Sequence, residues 1–157
     1  METEATPNAV VAQIDQAEIF HFAGHAYGGG GRSGLLLNAD DGSGKAALFD
    51  AKVLRNIALP KMQLAVLSAC STENGGEGLP EDFDSLARVM LSQGAAHVLA
   101  TRWNVDSGAS ASLMGSFYDS LLAGASAPRA LAAAEATLRQ RAAHPYYWAA
   151  FDAFGQN

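Results

Sequence analysis

Three short apolar runs set the terms on which this chain can fold: AEIFHFA at 17–23, QLAVLSA at 63–69 and AHVLATRW at 96–103. Each has the length and apolar character of a strand, and AEIFHFA reads as a buried one. Two of them lead into helical patterns. PEDFDSLARVMLSQG, at 80–94, puts Phe83, Leu86, Ala87, Met90 and Leu91 on one side and ends at Gly94, a fitting C-cap. NVDSGASASLMGSFYDSLLAG, at 104–124, offers Asp106 as N-cap and spaces Leu113, Phe117 and Leu121 four apart. Strands alternating with helices predict an α/β fold with a mainly parallel sheet, helices on both faces and right-handed crossovers.

The remaining segments fit around that frame. NAVVAQIDQ, at 8–16, spaces Val10, Val11 and Ile14 helically behind a cap at Asn8. YGGGGRSG reads as a loop, and GLLLN, at 34–38, as a short strand pairing antiparallel with a neighbour. LFDAKVLRNIALP, at 48–60, predicts a short helix capped by Asp50 and ended by Pro60. From Pro128 a further helix runs through ALAAAEATLRQRAA, with Glu135 and Arg139 as an exposed i,i+4 pair, and HPYYWAAFDAFG closes the chain as a final strand. The expectation is one domain over 1–157, with residues 1–7 disordered.

Charge and cysteine content narrow the function classes. Ten Lys and Arg against sixteen Asp and Glu leave a net charge of −6, which argues against unaided binding to nucleic acid or anionic membrane. No apolar run reaches membrane-spanning length, METEATPNAV lacks the character of a signal peptide, and one cysteine cannot close an internal disulfide. A reducing, cytoplasmic setting is the expectation, with proteins, peptides or small molecules as partners.

That single cysteine, Cys70, ends the run LAVLSAC where it breaks into a polar, glycine-containing loop. His25 lies just beyond the C-terminal end of the strand IFHFA. In parallel α/β sheets chemistry gathers outside the C-terminal strand ends, and one crossover separates these two strands, so the topology predicts neighbours. A thiol becomes a nucleophile when an adjacent imidazole takes its proton and later returns it to a leaving amine. His25 and Cys70 supply both roles as a dyad, and backbone N–H groups of the glycine-flanked loops could hold the oxyanion.

Other residues carry weaker signals. His21 and His25 would stand about 13 Å apart on one face of a strand, a poor metal site. GGGGRSG does not open a helix and lacks the GK[ST] ending of a phosphate loop, so it reads as a loop closing over an extended substrate, with Arg32 as a solvated charge or a substrate contact. Trp103 reads first as a core anchor and second as lining of a substrate cleft, and Asp106 first as a helix cap and second as a specificity-pocket acid. Glu73, Glu77, Glu81, Asp82 and Asp84 make an acidic rim after Cys70. No metal or organic cofactor is called for.

IFHFAGHA, LAVLSACST, LARVMLSQGAAHVLATRWNVD, FYDSLLAG with ALAAAEATLR, and HPYYWAAFDAFG occur in an order and spacing that resemble the CHAT domain, a branch of the caspase-like cysteine peptidases related to separases and gingipains. The resemblance runs over about residues 5–157. It implies a caspase-like α/β fold with His25 as general base and Cys70 as nucleophile. The N–H groups of Ala26 and Cys70 would form the oxyanion hole, Ala26 standing where many relatives have glycine. Relatives also carry strands before the equivalent of residue 5, so a sheet-completing or regulatory partner chain, or a second copy, is expected. The implied function is a cysteine endopeptidase in bacterial defence or programmed-death signalling. The alternative is a catalytically inactive interaction module or subunit that needs a partner.

Overall fold

The structure, a computed structural model, describes residues 5–29, 32–71, 80–104 and 106–155, with side chains described at 5–27, 34–69, 86–104 and 106–155. The described residues form one six-stranded sheet flanked by helices. In chain order come helix α1 (Pro7–Val11), strands β1 (Ile19–Gly29), β2 (Arg32–Asn38) and β3 (Ala46–Asp50), helix α2 (Ala51–Leu54), strand β4 (Leu64–Ser71), helix α3 (Pro80–Ser92) and strand β5 (His97–Thr101). Helices α4 (Ser107–Leu122), α5 (Ala127–Arg139) and α6 (Pro145–Trp148) and strand β6 (Phe151–Gly155) complete it.

The strand order is β3-β2-β1-β4-β5-β6. The three apolar runs are its core: β1, β4 and β5 pair in parallel, and antiparallel strands extend both edges. This is the α/β architecture with a mostly parallel core that the alternating pattern predicts. Its two faces have separate cores. Leu35, Phe49, Leu67 and Val98 point to the side covered by Leu86 and Met90 of α3. Leu64, Val66 and Leu99 point to the side covered by Phe117 of α4 and Leu131 of α5.

Several local expectations change. The cap of α1 is Thr6, whose side chain accepts from the Ala9 N–H, and the helix stops at Val11 with a 3-10 turn at Ile14–Gln16, so the pattern over 8–16 is two short pieces. Within the leader expected to be disordered, residues 1–4 lie outside the described residues, while the Ala5 carbonyl accepts from the Asn38 N–H and Pro7 opens α1. β1 runs on to Gly29 because β2 folds back beside it, pairing Ala26 with Leu35 and Gly29 with Arg32. A stretch that reads as a glycine loop is therefore partly strand, and His25 lies inside β1 rather than beyond it.

β3 falls where the sequence suggested the start of a helix. Leu48 and Phe49 pair with Leu36 and Leu35, and Asp50 closes the strand while its carboxylate accepts from Lys52 and Val53 to cap α2. Gly34 permits this close pairing, since a Cβ there would lie 2.5 Å from the Phe49 carbonyl oxygen. The C-terminal segment divides into α6 and a shorter β6. Glu135 is half-buried and faces Asp152 and Arg102, while the exposed Arg139 holds its guanidinium 5.4 Å from the Trp148 ring centroid, so each has partners beyond the expected i,i+4 pair. No described helix is long and apolar enough to cross a membrane.

Candidate functional site

His25 and Cys70 are register partners in the parallel pair β1–β4, with Ala26 opposite Ser71. Neighbouring strands lie about 4.8 Å apart, so the two backbones are adjacent at this level of the sheet. Both positions lie near the C-terminal ends of the core strands. β4 outruns β5 here, since the β4–β5 ladder ends at Leu67 and Ala100. Beyond that ladder the Thr101 hydroxyl donates to the Ala69 carbonyl at 2.8 Å. The Ala69 carbonyl and the Cys70 N–H belong to one planar peptide unit, so Thr101 fixes its orientation.

A cavity of about 410 Å³ opens beside His25. Its sheet wall is made by His21, Ala23, Gly24 and His25 of β1 and by Ser68 of β4. The opposite wall is the start of α4, through Ser107, Ser110, Ala111 and Met114. Asp106 fixes this wall: its carboxylate accepts from the Ala109 N–H at 2.8 Å, the geometry of an N-cap. At the far side His21 Nδ1 lies 2.8 Å from the Tyr118 hydroxyl of α4, with the rings stacked at 5.6 Å. Burial lowers the His21 pKa below the ordinary histidine value and raises that of Tyr118, so both are neutral at pH 7.

The other expected site residues are distributed differently. Ala26 sits in β1 with its side chain buried on the α3 side. Trp103 packs beside the core under α4 and α5, its Nε1 donating to the Tyr146 carbonyl at 3.1 Å, so it anchors α6. Asp106 is a cap one residue before the cavity wall. Arg32 is described by its backbone alone, as the first residue of β2, and Cys70 likewise within β4. Of the acidic rim, Glu73 and Glu77 lie outside the described residues, as do the side chains of Glu81, Asp82 and Asp84. Among the described residues no group of three or more His, Cys, Asp or Glu could hold a metal ion.

Sequence reasoning passed over Thr101, Ser107, Ser110 and Tyr118. The one available signal was the run of serines along the first turns of α4, where an otherwise apolar face turns hydroxylic.

Comparison with known proteins adds two findings. A family model described as CHAT domain matches residues 1–156. Tetratricopeptide repeat protein 28 of Mus musculus is 29% identical over 188 residues, a match that covers 98% of this chain and 8% of that protein. The chain therefore spans under a tenth of that relative's length.

Proposed function

This chain belongs to the CHAT domain family, within the caspase-like cysteine peptidases, and from that premise we propose that it hydrolyses peptide bonds in a protein substrate with a His25–Cys70 dyad. The observation that carries this reading is the register pairing of His25 with Cys70 on adjacent parallel strands.

In the proposed reaction His25 takes the thiol proton and Cys70 Sγ attacks the peptide carbonyl. The Cys70 N–H donates to the oxyanion as charge develops. Collapse of the tetrahedral intermediate breaks the C–N bond, the amine leaves with the proton from His25, and a thioester remains. Water then attacks the thioester and gives His25 a proton. The C–S bond breaks, the acid product leaves, and the proton returns to Cys70. Binding, orientation and proton transfer are all assigned to this chain's own groups.

The test is covalent labelling by a peptidyl acyloxymethyl ketone on wild type, Cys70→Ala and His25→Ala. Labelling should vanish in the first variant and slow by at least a hundredfold in the second; equal labelling of wild type and His25→Ala would remove the base from the mechanism. A second reading, a non-catalytic module that docks a partner chain or a second copy, is favoured by Ile19 and Tyr27, which are 50% and 43% exposed on β1. Iodoacetamide reactivity that rises only near the ordinary thiol pKa of about 8.5 would select that reading.

A further inference from the structure

β4 runs on past its neighbour. The β4–β5 ladder stops at Leu67 and Ala100, while β4 continues to Ser71 and carries Cys70 on the extension. On the β5 side that extension is held through a side chain. Resting on the dyad reading, we propose that Thr101 is a positioning residue for Cys70: its hydroxyl fixes the end of β4, keeps position 70 in register with His25, and so makes the thiol available to the imidazole.

The Thr101 hydroxyl lies 2.8 Å from the Ala69 carbonyl oxygen and donates to it. Where two parallel strands stay paired, a backbone N–H of one supplies such a carbonyl. Past Ala100 a hydroxyl takes that place. Ala69 is 4% exposed, and a buried carbonyl without a donor is costly, so the bond matters to the chain that makes it.

The donor is held rigidly from the other side. Threonine is branched at Cβ, which restricts its χ1. Its backbone pairs with Phe151 of β6, and the next N–H, that of Arg102, donates to the Ala150 carbonyl at 2.8 Å. The Arg102 guanidinium is in turn bonded to the Asp152 carboxylate. β6 thus holds the end of β5, and the end of β5 holds β4 through Thr101.

The effect reaches the dyad through one peptide unit. The Ala69 carbonyl and the Cys70 N–H share a plane, and Cys70 is the register partner of His25. Rotation of that plane displaces Cys70 relative to His25, and thiolate formation depends on how closely the imidazole stands. Thr101 therefore acts through the backbone of Cys70 and touches no substrate.

The experiment uses the full chain, with Thr101→Val to keep the branched shape and remove the donor, and Thr101→Ser to keep the donor. Cys70 is the only cysteine, so the pH dependence of iodoacetamide alkylation reads its thiol alone. In wild type the dyad sets this titration below the ordinary thiol value of about 8.5. Thr101→Val should move it at least one pH unit toward that value, and Thr101→Ser should match wild type. Leu138→Ala, in the core under α5, should lower the melting temperature and leave the titration in place. A titration unmoved in Thr101→Val, or moved as far in Leu138→Ala, would overturn the assignment.

The dyad reading fails separately, if wild type and His25→Ala titrate alike near 8.5. Amide hydrogen exchange then decides the role of Thr101. Exchange at Cys70 at least tenfold faster in Thr101→Val, with Val66 lower on the same strand unchanged and Thr101→Ser like wild type, upholds the positioning of Cys70. Exchange unchanged at Cys70, or raised equally at both residues, overturns it.

Discussion

β1 and β4 lie side by side in parallel, yet they live in different surroundings. Along β4, Leu64, Ala65, Val66 and Leu67 are buried in succession, because α3 covers one face and α4 with α5 the other. Along β1 only one face is closed. Its alternate residues Ile19, Ala23 and His25 stay exposed, and His21 is covered only in part, by Tyr118 of α4. The contrast is sharpest between register partners: Leu64 is 3% exposed and Ile19 opposite it 50%. The candidate site straddles the boundary between these two conditions. A closed strand supplies a rigid backbone at Cys70, and an open one leaves His25 and the cavity reachable by a substrate.

The largest effect that tests this contrast is on stability. Leu64→Ala should cost about 2–5 kcal/mol, because the vacated volume lies between β4 and α4 and the packed neighbours cannot collapse into it. Ile19→Ala, opposite it in the sheet, should cost under about 1 kcal/mol, since its side chain is already half in water. Urea unfolding of both variants with a shared slope gives the comparison directly. A cost at Ile19 matching that at Leu64 would mean that the open face of β1 is covered in solution, by a second copy or another chain.

A smaller effect concerns Asp106, where the boundary itself is fixed. Asp106→Ala should destabilise by about 1 kcal/mol through loss of the α4 cap, whereas Asp106→Asn keeps an accepting oxygen and should leave the melting temperature nearly unchanged. If the carboxylate were instead a specificity acid, Asp106→Asn would fold normally and lose labelling by a peptidyl acyloxymethyl ketone that carries arginine next to the warhead. Melting temperature and probe rates on the same two variants decide between cap and contact.

How much of this was legible in the chain follows from the same division. β4 and β5 announce themselves because burial on two faces demands unbroken apolar runs, β1 does so through Ile19, Phe20 and Phe22 although one of its faces stays open, and the neighbourhood of His25 and Cys70 follows from a single crossover between β1 and β4. The extension of β1 through Ala26–Gly29 does not, because its glycines carry no pattern and it is held by pairing with β2. β3 is hidden for another reason: Asp50 ends the strand and caps α2 at once, so the cap signal masks the strand before it. The cavity lining was invisible because helical periodicity reports which residues are apolar. Ser110, 8% exposed, is buried by the sheet opposite and by nothing in its own sequence.

The smallest and most local test lies at His21, where the open face of β1 meets α4. Burial lowers the His21 pKa in the folded state, so below the unfolded value of about 6.5 the unfolded chain binds the proton more readily than the folded one. Stability contributed by neutral His21 is thus full above pH 6.5 and declines as pH falls through that value toward the lower folded pKa. His21→Gln, which cannot titrate, should show a shallower loss of stability between pH 7 and pH 5 in urea titrations. Tyr118→Phe should lower stability by about 1 kcal/mol at pH 7 through loss of the bond to Nδ1, while leaving the wild-type acid limb in place, since burial rather than that bond sets the shift. An acid limb identical in wild type and His21→Gln would mean that the imidazole is fully hydrated and that Tyr118 does not cover it in solution.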